Sequence, residues 1–169
     1  MRPFAFLVVT ACLLASCTSN PVPEGYDGPL AHVTDSVKWR SRSSADFFYL
    51  SKIEGQAIDE SLSATDRSNY GRGLVMDPVT VDRHVPARTA TVTIVGRRHY
   101  AAPILEMVNS IYQVSGETEF TPLPDHNYVV KGILGGKYSA VWIEDSDTGE
   151  TVGRKIEVQG SAKLGFFGK

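Results

Sequence analysis

Thr89-Ala90-Thr91-Val92-Thr93-Ile94-Val95 alternates strictly, with Thr89, Thr91, Thr93 and Val95 on one side and Ala90, Val92 and Ile94 on the other. A period of two belongs to a β-strand, and the β-branched side chains suit a pleated sheet. Gly96 allows a bend or bulge, beyond which His99 to Ala102 continue the ladder. Upstream, Ala45 to Ile53 carries Phe47, Phe48, Tyr49, Leu50 and Ile53, a run that predicts a strand covered on both faces and stopped by Gly55. Gln56 to Ile58 continues it briefly. Residues 59–73 are polar and predict a long loop, with a single helical turn at 64–67. Val79 to Val85, closed by Pro86, predicts a weak edge strand.

Downstream of the alternating stretch the period changes. Ile104, Met107, Val108, Ile111 and Tyr112 recur at helical spacing behind Pro103, which predicts one amphipathic helix over 103–113 with its apolar side in the core. Strands then resume at Thr118 to Thr121, Tyr128 to Leu134, Tyr138 to Ile143 and Thr151 to Val158. Gly135-Gly136 and Asp147-Thr148-Gly149 mark turns between them. Short strands punctuated by Gly, Pro and Asp, with one helix, predict a mainly β chain: an antiparallel β-sandwich or open barrel with one short amphipathic helix.

Composition narrows the partners. Lys and Arg number 17 against 19 Asp and Glu, a formal net charge of -2. That balance, with no basic stripe interleaved with aromatics, argues against a nucleic-acid binder. Arg97-Arg98 reads as a solvated strand edge.

The N-terminus carries an address. Phe4 to Ala15 is uncharged and rich in Phe, Leu and Val behind Arg2. The run falls short of the ~20 apolar residues that span a bilayer, so it reads as a cleaved secretory signal. Its end, Leu14-Ala15-Ser16-Cys17, resembles the lipobox of bacterial lipoproteins. The resemblance implies export, diacylglycerol transfer to the Cys17 sulfur, cleavage before Cys17 and acylation of the new amine. It implies residues 1–16 as signal peptide; Pro, Gly and Ser without periodicity then make 17–44 the lipidated Cys and flexible tether, the strands make 45–159 the β-rich periplasmic domain, and 160–169 reads as a loose tail. Thr18, where Asp would retain a lipoprotein at the inner membrane, implies the outer membrane. Val9-Thr10-Ala11-Cys12 fits a looser lipobox and is the rival site. With Cys12 removed and Cys17 acylated, no thiol remains for a disulfide, a metal or a nucleophile. Trp39 either docks onto the domain or sits at the lipid headgroups.

A second resemblance is generic. Glu119-Phe120-Thr121-Pro122 through Tyr128-Val129-Val130, then Trp142 and Thr148-Gly149, resembles the closing strands of immunoglobulin-like or transthyretin-like sandwich modules. It implies no functional residue.

Candidate chemistry is sparse, and no cofactor is expected. Asp145-Ser146-Asp147-Thr148-Gly149 resembles part of a calcium loop, but the third oxygen ligand is missing and the Gly is one position early. Asp145 and Asp147 are therefore weak metal candidates within a solvated hairpin turn. His84 and His99, on neighbouring predicted strands, are the residues an envelope hydrolase or a zinc site would use. Tyr70, Arg72 and Tyr100 are the candidates for contact with a partner. The expected function is a lipid-anchored, non-catalytic binding or envelope-assembly module, held to the membrane by its acyl chains and recognising an envelope protein or glycan. An inhibitor or immunity-type lipoprotein that blocks a cell-wall enzyme is the first alternative, presenting loop 59–73 or the Asp145–Glu150 turn. The hydrolase is the second.

Overall fold

The computed structural model describes residues 20–165. Cys12, the lipobox, Cys17 and Phe166-Phe167 lie outside them. Two sheets pack face to face as a β-sandwich. In chain order the elements are β1 (Leu30–Thr34), β2 (Ser36–Ser41), β3 (Ser44–Ile53), β4 (Gln56–Ala57), α1 (Ser61–Asn69), β5 (Asp82–Pro86), β6 (Ala90–Tyr100), α2 (Pro103–Val108), β7 (Gln113–Phe120), β8 (Asn127–Ile133), β9 (Tyr138–Asp145) and β10 (Thr151–Gln159). One sheet runs β10-β9-β8-β1-β5, the other β2-β3-β6-β7 with β4 added to β3. The pairing is antiparallel except between β1 and β8, which run parallel with His32 opposite Asn127.

The alternation read from the sequence becomes two layers of packing. Phe48 and Leu50 of β3 and Val92 and Ile94 of β6 point between the sheets, where they meet Val33, Phe120, Tyr128, Val130, Val141 and Ile143. Ala45, Phe47, Tyr49 and Val95 point the other way and form a second cluster with Met76, flanked by Leu62. β3 is thus covered on both faces, as its apolar run predicts. The cover on the outer face is α1 and the segment that follows it.

Three expectations fail, each for a physical reason. Residues 18–44 are not all tether: β1 and β2 lie within them, and Ala31 and Val33 are buried. β1 is only five residues long, with its two core residues separated by His32, too short a pattern to stand out. Trp39 sits on β2 with 55% of its surface exposed. The polar loop 59–73 holds a nine-residue helix, α1. Its hidden residues are Ser61 and Thr65, so no apolar stripe announces it. The third failure is the single helix over 103–113. α2 stops at Val108, Asn109 is extended, and Ile104, Met107 and Val108 face solvent. Ile111 is fully buried and Tyr112 packs against the core, both from beyond the helix. Of the expected loose tail, Lys163 and Leu164 are anchored: Leu164 N–H donates to the Ile111 carbonyl at 2.9 Å and Lys163 bridges Tyr112.

Asp35 stitches the layers together. It lies where the chain crosses from β1 to β2, 1% exposed. Its carboxylate accepts from Leu50 N (3.1 Å), Ser61 N (3.0 Å) and Ser61 Oγ (2.9 Å). It also takes both arms of the Arg83 guanidinium, at 2.8 and 2.6 Å. β5 of one sheet, β3 of the other and the start of α1 therefore share one buried anion. α1 is then capped by Glu60, which accepts from Leu62 N at 2.6 Å and Ser63 N at 3.0 Å.

Candidate functional site

Among the described residues, several places bring together side chains able to bind something. The first lies between the sheets at the end where β1 begins. A cavity of about 280 Å³ is lined there by Ile53 and Val92 of one sheet, Val85 of the other, and Ile58 and Phe120. Asn20, Pro21 and Pro23 form part of its wall. Its size is at the lower end for a small-molecule site. No residue of this cavity stood out in the sequence, because Ile53, Ile58 and Val92 read there as ordinary core positions.

The second lies on the outer face of the β2-β3-β6-β7 sheet. His99, near the end of β6, holds both helices: Nε2 is 2.8 Å from Asp66 of α1, and Nδ1 is 2.9 Å from Glu106 of α2. Burial pulls the imidazole pKa down, but hydrogen bonding and attraction to Asp66 and Glu106 outweigh it and leave the value raised. α2 therefore rests on β6 through a charged clasp. Its apolar side chains turn outward: Ile104 is 57% exposed, Met107 63% and Val108 74%. Beside them a polar cleft of about 320 Å³ runs between the β2–β3 turn and α2, lined by Arg40, Ser41, Arg98, Tyr100, Leu105 and Asn109 among others. Arg98 is committed to Asp46 by two hydrogen bonds, at 2.6 and 3.0 Å, and lies over the Tyr112 ring.

The expected partner contacts divide on this face. Tyr100 lines the cleft and donates to the Ser110 carbonyl at 3.2 Å. Tyr70, 93% exposed, and Arg72, paired with Asp77 at 3.0 Å, belong instead to the loop that follows α1. The outward turn of Ile104 and Val108 was missed because i, i+3, i+4 spacing shows that residues share a face, not where that face points.

The third is the β9–β10 hairpin. The ligand the sequence lacked is His126: one donor atom each from His126, Asp145 and Asp147 lies within 4.8 Å of the others. Asp145, however, is already spoken for. Its Oδ1 accepts from Asp147 N at 2.9 Å and Thr148 N at 3.1 Å, and its Oδ2 is 2.8 Å from His126 Nδ1. His126 first, and the turn amides with it, hold the Asp145 carboxyl below the usual range. Those bonds make Asp145 the cap of a tight turn, with His126 as its side-chain hydrogen-bond partner.

His84 and His99 are not brought together. His84 lies on the edge strand β5, its ring 4.2 Å edge-on from His32, whose Nδ1 is 2.9 Å from Asp82. His99 belongs to the other sheet. The edge position of β5 agrees with its reading from the sequence. The hydrolase alternative thereby loses the pair on which it rested. Comparison of the chain with protein-family models, with curated proteins and with solved structures yields no match.

Proposed function

We propose that this chain is a lipid-anchored protein of the bacterial envelope whose β-sandwich is a non-catalytic binding module, presenting α2 and the adjoining cleft to a protein partner. The anchor rests on Leu14-Ala15-Ser16-Cys17 and the apolar run before it. Two or three acyl chains, at ~0.8 kcal/mol per buried CH₂, hold such a domain durably at a membrane. Thr18 favours the outer membrane, with the domain in the periplasm.

One observation supports the binding role. Ile104 and Val108 share one side of α2 and are 57% and 74% exposed. Large apolar side chains grouped in this way on a surface mark interaction sites more often than chance. The cleft beside them supplies Arg40, Tyr100 and serine hydroxyls. An apolar centre with Arg and Tyr at its margin is the composition of a protein interface. Tethering raises the effective concentration of the module toward partners at the same membrane.

Crosslinking in intact cells, followed by capture of the full chain from envelope extract, tests this. Ile104→Glu and Val108→Glu should each remove the captured partner while leaving the melting temperature in place. Cys17→Ser should abolish palmitate incorporation and release the chain from membranes. Capture unaffected by either α2 change refutes the assigned face. A stoichiometric cell-wall lytic enzyme as the captured partner identifies the inhibitor reading; a component of an assembly machine identifies the accessory.

A further inference from the structure

We propose that the cavity at the β1 end of the sandwich takes an acyl chain carried by Cys17 of the same molecule, a proposal that rests on the lipidation reading above. Three observations point to it.

The first is chemistry. Ile53, Ile58, Val85, Val92 and Phe120 give the cavity a hydrocarbon lining from both sheets. Glu54, the acid at its edge, has a carboxylate oxygen engaged by the Thr91 amide at 2.6 Å. A ligand there meets mainly methyl, methylene and phenyl groups, with Gln56 and Arg88 as further polar residues of the lining. A volume of about 280 Å³ accepts part of one chain, while the other chains stay in the bilayer.

The second is position. Asn20, Pro21 and Pro23 line the cavity, and Asn20 is three residues from Cys17 in sequence. Three extended residues span at most ~11 Å. Local bonds shape the stretch: Val22 N–H donates to Asn20 Oδ1 at 3.1 Å, and Tyr26 N–H to the Pro23 carbonyl at 3.1 Å. The attachment point is therefore within ~11 Å of a residue that lines the cavity. Once residues 1–16 are cleaved, Phe166-Phe167 is the other apolar group outside the described residues, and it is excluded by distance. Leu164 is bonded to Ile111, beside Gln113 at the start of β7, whereas Phe120 at the end of β7 lines the cavity. Seven strand residues separate those points by ~24 Å, and Phe166 is two residues past Leu164.

The third is orientation. Ala90, the first residue of β6, lines the cavity, and Tyr100, the last, lies beside α2. A strand of that length puts ~33 Å between them. Seating the chain draws the β1 end to the membrane and leaves α2 and its cleft directed away from it, where a partner can reach them.

A photoreactive fatty acid tests the proposal on the full chain. Cells making the protein are fed an alkyl-diazirine palmitate analogue, which the lipidation pathway attaches at Cys17. The protein is irradiated in dilute detergent, and adducts are mapped by mass spectrometry. Equimolar ¹⁵N-labelled Cys17→Ser chain is included as an acceptor without its own lipid. Adducts are expected on Ile53 to Ile58, Val85 to Val92 and Phe120 of the lipidated chain. They should exceed those on the heavy chain by about a hundredfold, the advantage of a tethered ligand at micromolar protein. Labelled protein whose adducts fall on detergent or elsewhere on the chain overturns the proposal. Adducts shared equally with the heavy chain overturn the commitment to the same molecule. A chain that carries no analogue overturns the lipidation itself, a result read before irradiation and so distinct from the others.

Discussion

Replacing Asp35 by Ala removes the one anion that both sheets and α1 share. The carboxylate is 1% exposed and accepts five hydrogen bonds, two from Arg83, two from Ser61 and one from the Leu50 amide. Its loss leaves the Arg83 guanidinium, with a side chain 6% exposed, without a countercharge. Breaking a buried pair in this way costs about 3–5 kcal/mol, because the remaining charge stays desolvated. The Leu50 and Ser61 amides lose their acceptor as well, so the expected value is about 4 kcal/mol or more. Domains have ~5–15 kcal/mol in all, so this is a large fraction. Arg83→Met should cost less, since Asp35 keeps three donors. The pair should show a coupling of about 2 kcal/mol in a double-mutant cycle. Urea unfolding followed by circular dichroism measures all three variants. With a slope of about 2 kcal/mol per molar, Asp35→Ala should lower the midpoint by about 2 M. A loss below about 1 kcal/mol, or additive single changes, would refute the claim that this anion holds the layers together.

Other consequences are more local. The folded His99 pKa lies above its ordinary 6.5, so the clasp to Asp66 and Glu106 contributes fully below that pH and is lost as the pH rises through the raised value. Stability measured from pH 6 to 9 should fall over that window, and His99→Gln should flatten the fall; an unchanged slope rejects the clasp. In Gly132→Ala the new Cβ would sit 2.3 Å from Phe48 Cδ1 and 2.5 Å from the Ala140 carbonyl oxygen. Overpacking of that kind should cost about 1–3 kcal/mol in the same urea assay, and a neutral result would mean that β8 and Phe48 shift freely. Ile104→Glu should change stability by no more than about 0.5 kcal/mol, as for other surface sites; a loss above about 1.5 kcal/mol would place α2 in the core.

Local pattern was enough for part of the molecule. The Thr89–Val95 alternation, the apolar run from Phe47 to Leu50, and the glycines at 135–136 and 149 located β6, β3 and two hairpin turns, and with them a two-layered β fold. These features are written in adjacent residues, through the two-residue side-chain period and the backbone freedom of glycine. The candidate site was less legible. Asp145 and Asp147 were visible as a pair, but His126 joins them from 19 positions upstream in sequence, across the β8–β9 pairing.

The rest depended on contacts between residues distant in the chain. β1 owes its place to a parallel pairing with β8, His32 opposite Asn127, and to β5 on its other side. α1 forms where Asp35 meets Ser61, and its hidden hydroxyls carry no hydrophobic period. α2 shows the limit most plainly: helical spacing placed Ile104 and Val108 on one face, and the folded chain, with Glu106 held against His99, leaves that face to solvent. The cavity beside Asn20 is likewise a gap between two sheets, a property of how far apart they are held. Strand, turn and address follow from neighbours in the chain; which surfaces meet, and which are left open for a partner or a lipid, follows from pairings that exist only after the chain has folded.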